Sequence, residues 1–293
     1  MARASIEYTD EAFVADYREG RDKVSDALVD ETLQFLKHKS SPDSWTRFVD
    51  AGCGHAVSSL SFLEKLPQGV TALCCDVSAA QIESAKHTFE QRHDLKGRVA
   101  FAVCAAEGLP LADASVDLIT CCIAFHHFDR ERFYEEVSRV LKPGGVLAVF
   151  SYAWPTLTGD EWTQRHVDDF FGVLREYLEA VCSLGTPELA SWFEIYQFLL
   201  SGYEGLQLPF PESKTIKDAP RIWSRRDGRL ADVWAFLHSL RPVNLATQTE
   251  QGRADFEAMK AKAMAQAPEG TTDDTPVTNI TRWFALFSRK PTQ

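Results

Sequence analysis

The stretch Phe48-Val49-Asp50-Ala51-Gly52-Cys53-Gly54-His55-Ala56 decides the fold. Its apolar front reads as a buried strand, its middle as a glycine turn, and its end as the entry to a helix. In a doubly wound α/β sheet a ligand binds at such a turn, at the carboxyl edge of the strand. Gly52 and Gly54 let the backbone approach that ligand where a Cβ would collide with it. Many nucleotide-binding turns share this outline, so its meaning depends on the residues around it.

Five apolar runs read as strands: 47–51, 70–75, 99–104, 116–122 and 145–152. Helical spacing fills most of the intervals. Residues 56–66 carry Leu60, Leu63 and Leu66 on one face, and 79–92 carry Ile82, Ala85 and Phe89. The second helix opens with Ser78 and has Gln81 three residues on, the pattern of a capping box. Asp129 can cap the next helix, whose stripe is Phe133, Val137 and Leu141, and Lys142-Pro143-Gly144-Gly145 ends it. Strand alternating with helix implies an α/β fold, a parallel sheet with right-handed crossovers. Asp76 ends the second strand, where a carboxylate can accept hydrogen bonds from a ribose diol. These features fit either a dinucleotide dehydrogenase or a protein that binds another adenosine-containing cofactor. The turn itself is G-x-G-x-A and lacks the third glycine at the dinucleotide spacing.

The second half reads differently. Residues 154–208 are aromatic-rich, with Trp162, Phe170, Trp192 and Tyr203 among them, and read as a helical cap over the carboxyl edge of the sheet. Pro209-Phe210-Pro211 breaks the pattern. A sixth strand is expected over 216–225, helices over 230–240 and 254–266, and a closing strand over 277–289. The first forty residues read as one or two amphipathic helices.

Composition sets outer bounds. The 293 residues are 45% hydrophobic and 25% charged, as in ordered globular proteins. A net charge of −11 with no basic run argues against a nucleic-acid partner. There is no N-terminal apolar stretch and no segment of membrane-spanning length, so the expectation is a cytoplasmic protein without a membrane partner. Among the seven cysteines, Cys74-Cys75 and Cys121-Cys122 are adjacent on strands, and strand neighbours point to opposite faces. With no C-x-x-C, they read as reduced core cysteines, and no metal is expected.

Taken in order, FVDAGCGHA, CCDVSAAQIESAK, CAAEGLPLADASVDLITCCIAFHHFD and EVSRVLKPGGVLAVFSY resemble class I S-adenosylmethionine (SAM)-dependent methyltransferases over about 48–152. The chain is similar to the small-molecule branch that includes trans-aconitate methyltransferase. Tyr17-Arg18-Glu19-Gly20-Arg21 looks like that branch's N-terminal Y-x-x-x-R, and TRWFALFSRKP like its last strand. The resemblance implies a Rossmann-like, seven-stranded, mostly parallel sheet. It divides the chain into an N-terminal helical lid (1–40), a SAM-binding core (41–153), a helical cap insertion (154–208) and the remainder of the core with the last two strands (209–293).

The resemblance also implies roles. SAM is the cofactor and S-adenosyl-L-homocysteine the product. The backbone around Gly52 and Gly54 faces the methionine part of SAM, and Asp50 helps hold its amino group through the turn. Asp76 takes the ribose hydroxyls and Val77 packs on the adenine. Ala105 and Ala106 read the adenine edge, with Glu107 a substitute for the aspartate many relatives carry where this chain has Ala105. Cys121 and Cys122 lie near the methionine portion, and Tyr17 and Arg21 belong to the lid side of the cofactor. His126 and His127 border the methyl group, either as a general base or as part of the wall. Tyr152 and Trp154 are candidates to face the cationic sulfur and the substrate. An anionic acceptor, such as a carboxylate, needs a cation, for which Arg21, Arg221, Arg225 and Arg241 are candidates. Ala56 stands where a third glycine is usual; its methyl costs little if φ is negative there, and it is expected to narrow the pocket. The expected activity is methyl transfer to O, N or S of a small molecule. A protein- or RNA-directed methyltransferase and a non-catalytic SAM-fold module are the alternatives.

Overall fold

In the computed structural model, residues 23–183, 187–217 and 219–292 are described. A seven-stranded sheet forms the centre. Its strands are β1 (Arg47–Ala51), β2 (Thr71–Asp76), β3 (Val99–Val103), β4 (Val116–Cys122), β5 (Leu141–Tyr152), β7 (Glu212–Ile216) and β10 (Trp283–Arg289). They lie in the order β3-β2-β1-β4-β5-β10-β7. Only β10 runs against the others, pairing antiparallel with both β5 and β7. From β1 the chain winds outward through β2 to β3, then returns to the other side of β1 as β4 and β5. The topological switch point therefore lies between β1 and β4, where such sheets bind ligands.

The helices follow from local chemistry. In α1 (Asp26–Lys37) Ser25 accepts the Leu28 N–H, and Leu28, Val29 and Leu36 are buried. The short α2 (Val57–Leu63) succeeds the glycine turn. Helix α3 (Ala79–Phe89) is capped by Ser78, which accepts the Gln81 N–H, and α4 (Arg130–Val140) by Asp129, which accepts the Arg132 N–H. The stretch 142–145, expected to turn between helix and strand, lies inside β5. Pairing there jumps from Val116–Leu141 to Leu118–Val146, so the Pro-Gly-Gly segment bulges out of the ladder.

Charged side chains fasten the amino-terminal side of the sheet. Asp117 accepts the backbone N–H groups of Thr46 and Arg47 and pairs with Lys142 at 2.8 Å. Arg289 is 1% exposed, yet its guanidinium donates to the carbonyls of Phe35, Leu36 and Gly144 and pairs with Glu212. It thus satisfies orphan carbonyls at the end of α1 and ties that helix to β10.

Beyond β5 the architecture departs from the sequence expectation in three places. The 154–208 segment is not helical throughout: it begins with a short strand, β6 (Thr156–Thr158), and continues as α5 (Gln164–Cys182) and α6 (Pro187–Leu200). The single strand expected over 216–225 is two separate strands, β7 in the main sheet and β8 (Ser224–Arg229) elsewhere, parted by a 3-10 turn at Pro220–Ile222. Pro220 has no N–H to give to a ladder, which favours the break. The closing strand expected over 277–289 is likewise divided at Arg282 into β9 (Pro276–Thr281) and β10. Strands β6, β9 and β8 form a second, antiparallel sheet. Helices α7 (Ala231–His238), α8 (Arg241–Ala246) and α9 (Glu250–Met264) complete the chain. Helix α6 packs on β5, where the Ser151 hydroxyl donates to the Leu199 carbonyl.

Candidate functional site

A cleft of about 900 Å³, counting its open mouth, runs along the carboxyl edge of the sheet. Asp76 of β2, the turn after β1, Cys122 of β4, Tyr152 of β5 and Trp283 of β10 all line it. Those strands are successive neighbours, so the cleft spans four strand spacings, roughly 19 Å at about 4.8 Å each.

The turn is built from left-handed residues at alternate positions. Gly52, Gly54 and Ala56 have φ of 68°, 53° and 60°. Gly52 must be glycine for a second reason: a Cβ there would stand 2.5 Å from the Ala124 Cβ and 3.2 Å from Phe128. The Cys53 N–H donates to the Cys75 carbonyl, and the Ala56 N–H to the Cys53 carbonyl. Ala56 differs from the sequence expectation on both counts. Its φ is positive, so the alanine carries a backbone cost of about 1–2 kcal/mol. Its side chain is fully buried in a small cluster with Cys53, Cys74, Ile82 and Ala85, and Ala56 does not line the cleft. The methyl fills the space between turn and helix instead of narrowing the pocket.

Asp76 holds the turn in place. One carboxylate oxygen accepts the Gly54 N–H at 3.0 Å and the other accepts the Ser78 N–H at 2.9 Å. Burial pushes its carboxyl above the usual range, and these backbone donors pull against that shift. A carboxylate has about four lone-pair sites, so roughly two remain for ligand hydroxyls. Asp50 is fully buried and does not line the cleft. It accepts hydroxyl hydrogen bonds from Ser59 of α2 and Thr120 of β4, and burial raises its carboxyl to about 6. It braces the turn from behind.

Gln81 is a site residue that the sequence reading missed. Its backbone N–H completes the Ser78 cap, but its side chain does not close the expected box. The side chain lines the cleft beside Gly54, and its Oε1 is buried with no hydrogen-bond partner. An orphaned amide oxygen there is suited to a ligand hydroxyl or ammonium. SAM carries both, so the residues present fit that cofactor: Asp76 and Gln81 as acceptors, and a glycine turn that allows close approach. Outside the lining, Val77 just past β2 and Val103 at the end of β3, beside Asp76, are 55% and 57% exposed, apolar surface of the kind a flat base can cover.

The other candidates are spread more widely. Cys122 and His127 line the middle of the cleft and Tyr152 its far end. Cys121 is fully buried, and burial drives its thiol well above the ordinary range. Ala105 is exposed and Ala106 buried, neither in the cleft lining. Glu107 accepts the Asp129 N–H at 2.7 Å, at the start of α4. His126 is buried, with Nδ1 3.0 Å from the Tyr203 hydroxyl, and its ring lies 4.1 Å from that of His127. His127 in turn meets Trp192 of α6 edge-on. Trp154 packs against the main core outside the lining. Arg221 is paired with Glu31 at 2.9 Å, Arg225 stacks over Trp223, and Arg241 begins α8; none lines the cleft. Tyr17 and Arg21 lie outside the described residues. Also unforeseen are Ile123, left-handed at φ 54° in mid-cleft, and Phe236, Thr281 and Trp283 at the far end. Among the described residues no cluster of three or more potential ligands is placed to hold a metal ion, and no helix is long and apolar enough to cross a membrane.

A parallel sheet with a cleft at its switch point, an acidic strand end and a glycine turn defines an α/β cofactor-binding domain. Comparison with known proteins narrows the class. Residues 49–149 match the family model described as a methyltransferase domain. Methyltransferase GfsG of Streptomyces halstedii is 28% identical over 179 residues, 60% of this chain and 59% of that protein. Ajmaline N-methyltransferase of Rauvolfia serpentina is 27% identical over 200 residues, 68% of this chain and 62% of that protein. In both, less than two thirds of the relative's length is covered. Among solved structures, a protein described as a type II methyltransferase from Anaeromyxobacter dehalogenans superposes with a TM-score of 0.66 at 23% identity, covering 92% of this chain and 99% of that one. Phosphoethanolamine N-methyltransferase 2 of Haemonchus contortus, solved with S-adenosyl-L-methionine, gives a TM-score of 0.52 at 17% identity, covering 99% of this chain and 60% of that one. Over residues 49–149 this chain is therefore similar to methyltransferase domains, and its fold is theirs.

Proposed function

We propose that this protein transfers a methyl group from SAM to a small molecule bound at the β5–β10 end of the cleft. The observation that carries this reading is one continuous cleft, from Asp76 past the left-handed turn to a wall of aromatic side chains. When bound, SAM supplies a methyl on a cationic sulfur: the acceptor's lone pair forms the new bond to that carbon while the C–S pair stays on sulfur, leaving S-adenosyl-L-homocysteine. Asp76 accepts hydrogen bonds from ribose hydroxyls, and Gln81 accepts one from a hydroxyl or ammonium. Val77 and Val103 flank the base. His127, where the two ends of the cleft meet, is positioned to take a proton from a hydroxyl or ammonium acceptor, with His126 behind it fixed by Tyr203. The aromatic wall excludes water and orients the acceptor, and orientation supplies much of the acceleration in such a displacement.

In this reading 41–153 binds the cofactor and 209–293 completes the sheet and supplies Phe236, Thr281 and Trp283 to the acceptor end, to which 154–208 adds Pro155 among the described residues; α1 packs on β5 and β10 instead of covering the cleft. A protein or RNA acceptor fits less well, because the acceptor end is aromatic and bounded by a second sheet instead of opening on a basic groove. The branch likeness to trans-aconitate methyltransferase does not by itself carry a carboxylate acceptor, since Arg221, Arg225 and Arg241 lie outside the cleft lining. Calorimetry with S-adenosyl-L-homocysteine tests the reading. Binding is expected, with Asp76→Ala weakening it at least about ten-fold, or about 1.4 kcal/mol. Absence of heat with folded protein, or an unchanged Kd in the variant, overturns it.

A further inference from the structure

We infer that the side chain of Ile123, held in a strained backbone conformation, seats the sulfur end of SAM where the two halves of the cleft meet. This deepens the methyltransferase reading and rests on it. Ile123 is left-handed, at φ 54°. Three other non-glycine residues among those described have positive φ, Ala56, Ala114 and Tyr203; none of them is β-branched and none lines the cleft. Two heavy atoms on Cβ make this conformation a genuine outlier for isoleucine. Glycine or asparagine would adopt it at lower cost. Strain of this kind persists only where the surroundings enforce it, and it gathers at ligand clamps and active sites.

The chain on both sides enforces it. The Ile123 N–H donates to the Phe150 carbonyl at 3.1 Å, one step beyond the Cys122–Phe150 pair that ends the β4–β5 ladder. On the other side Ala124 is buried against Gly52, so close that a Cβ on the glycine would collide with its own. Relaxing Ile123 to negative φ would disturb one contact or the other. The effect on the lining is direct. Neighbours on a regular strand point to opposite faces, and Cys121 is buried away from the cleft while Cys122 lines it. Strict alternation would turn Ile123 away again. The left-handed step breaks that alternation, and Cys122, Ile123 and Ala124 line the cleft in succession. Ile123 is half-buried, packed against the main core with surface left in the lining. Ala124 sets it level with Gly52, in the turn that this reading assigns to the methionine part of SAM, while Asp76 takes the ribose. A thioether and its methylenes gain from an aliphatic wall at that point.

The test sets S-adenosyl-L-homocysteine, which carries the sulfur, against adenosine, which shares the nucleoside and lacks it. Both are titrated calorimetrically into the full chain and into Ile123→Gly, Ile123→Ala and Ile123→Val. The glycine and alanine variants are each expected to bind S-adenosyl-L-homocysteine at least about five-fold more weakly, with adenosine affinity within two-fold of the parent. Ile123→Val keeps the β-branch and should stay within two-fold for both ligands. Urea midpoints check the strain: glycine alone takes φ 54° freely, so Ile123→Gly should be at least as stable as Ile123→Ala. Unchanged S-adenosyl-L-homocysteine affinity in Ile123→Gly, an equal loss of both ligands, no adenosine binding by the parent up to about 1 mM, or a lower midpoint for the glycine variant than for the alanine variant overturns the inference. A folded parent that does not bind S-adenosyl-L-homocysteine refutes instead the methyltransferase reading beneath it.

Discussion

Replacing Gly52 with alanine forces a methyl group into the tightest point of the β1–α2 turn, and the structure supplies the magnitude. The residue sits at φ 68°, where an L side chain costs about 1–2 kcal/mol. The new Cβ would also stand 2.5 Å from the Ala124 Cβ. Ala124 cannot retreat cheaply, because it joins β4 to the 3-10 turn Phe125–His127, so overpacking adds about 1–3 kcal/mol. The unfolded chain of the variant has less freedom to lose, which returns about 0.4–1 kcal/mol. The net loss is roughly 1–4.5 kcal/mol. Urea unfolding with an unchanged m-value should show it as a lower midpoint. Since Ile123 and Ala124 line the cleft, S-adenosyl-L-homocysteine binding should fall at least about ten-fold as they shift. Gly54→Ala is the internal control. Its Cβ would meet nothing nearer than Gln81 Oε1 at 3.8 Å, so only the backbone cost applies and the loss should be smaller. If Gly52→Ala is as stable as the parent and binds the product within two-fold, the steric reasoning fails.

The reverse substitution, Ala56→Gly, relieves the left-handed cost of about 1–2 kcal/mol but gives up a buried methyl worth about 0.8 kcal/mol and frees the unfolded chain. Stability should stay within about 1 kcal/mol and product affinity within two-fold; a large gain in affinity would mean that the methyl does intrude on the cleft. Gln81→Leu should separate stability from binding. Removing an orphaned buried acceptor should leave the midpoint equal or raised by up to about 1–3 kcal/mol, while S-adenosyl-L-homocysteine affinity falls about ten-fold; loss of both, or of neither, contradicts the assignment. Asp50, raised from 3.8 to about 6, binds its proton more tightly in the folded state. Its contribution is therefore fully present below pH ~4 and is lost as pH rises to about 6, on the order of 3 kcal/mol. The difference between parent and Asp50→Asn urea midpoints from pH 4 to 7 should show that decline, and parallel curves would refute the buried-carboxyl argument. Asp76 is raised in the same direction and its charge is one cause of the Asp50 shift, so the difference between the two proteins includes that coupling.

The cofactor half was legible because its logic is local. Helices whose stripes and caps lie within single segments follow β1, β2 and β4, and Ser78 and Asp129 cap as expected. The acceptor half was not, because its strands find partners far along the chain. Nothing in the run 277–289 marks Arg282 as the corner between two sheets; only pairing with β6, β8 and β5 reveals it. For the same reason Phe236, Thr281 and Trp283 carry no motif. Two misreadings were local and are instructive. A capping box and a lone cap share one sequence pattern, so the side chain of Gln81 was assigned to its own helix instead of the cleft. The positive φ at Ala56 was not readable, because an alanine, unlike a glycine, is ordinarily taken to have negative φ.

The position of β10 has a consequence for how the chain matures. Residues 146–150 of β5 are wholly buried, with β4 on one side and β10 on the other. During synthesis β5 emerges long before β10, so one edge of an apolar strand waits, with its N–H and C=O groups unpaired, while the helices and the second sheet are made. Unpaired apolar edges invite pairing between chains. Until Trp283–Arg289 docks, the sheet is both incomplete and self-adhesive. Lesions in β10 should therefore appear first as insoluble protein on expression, before any loss of activity can be measured.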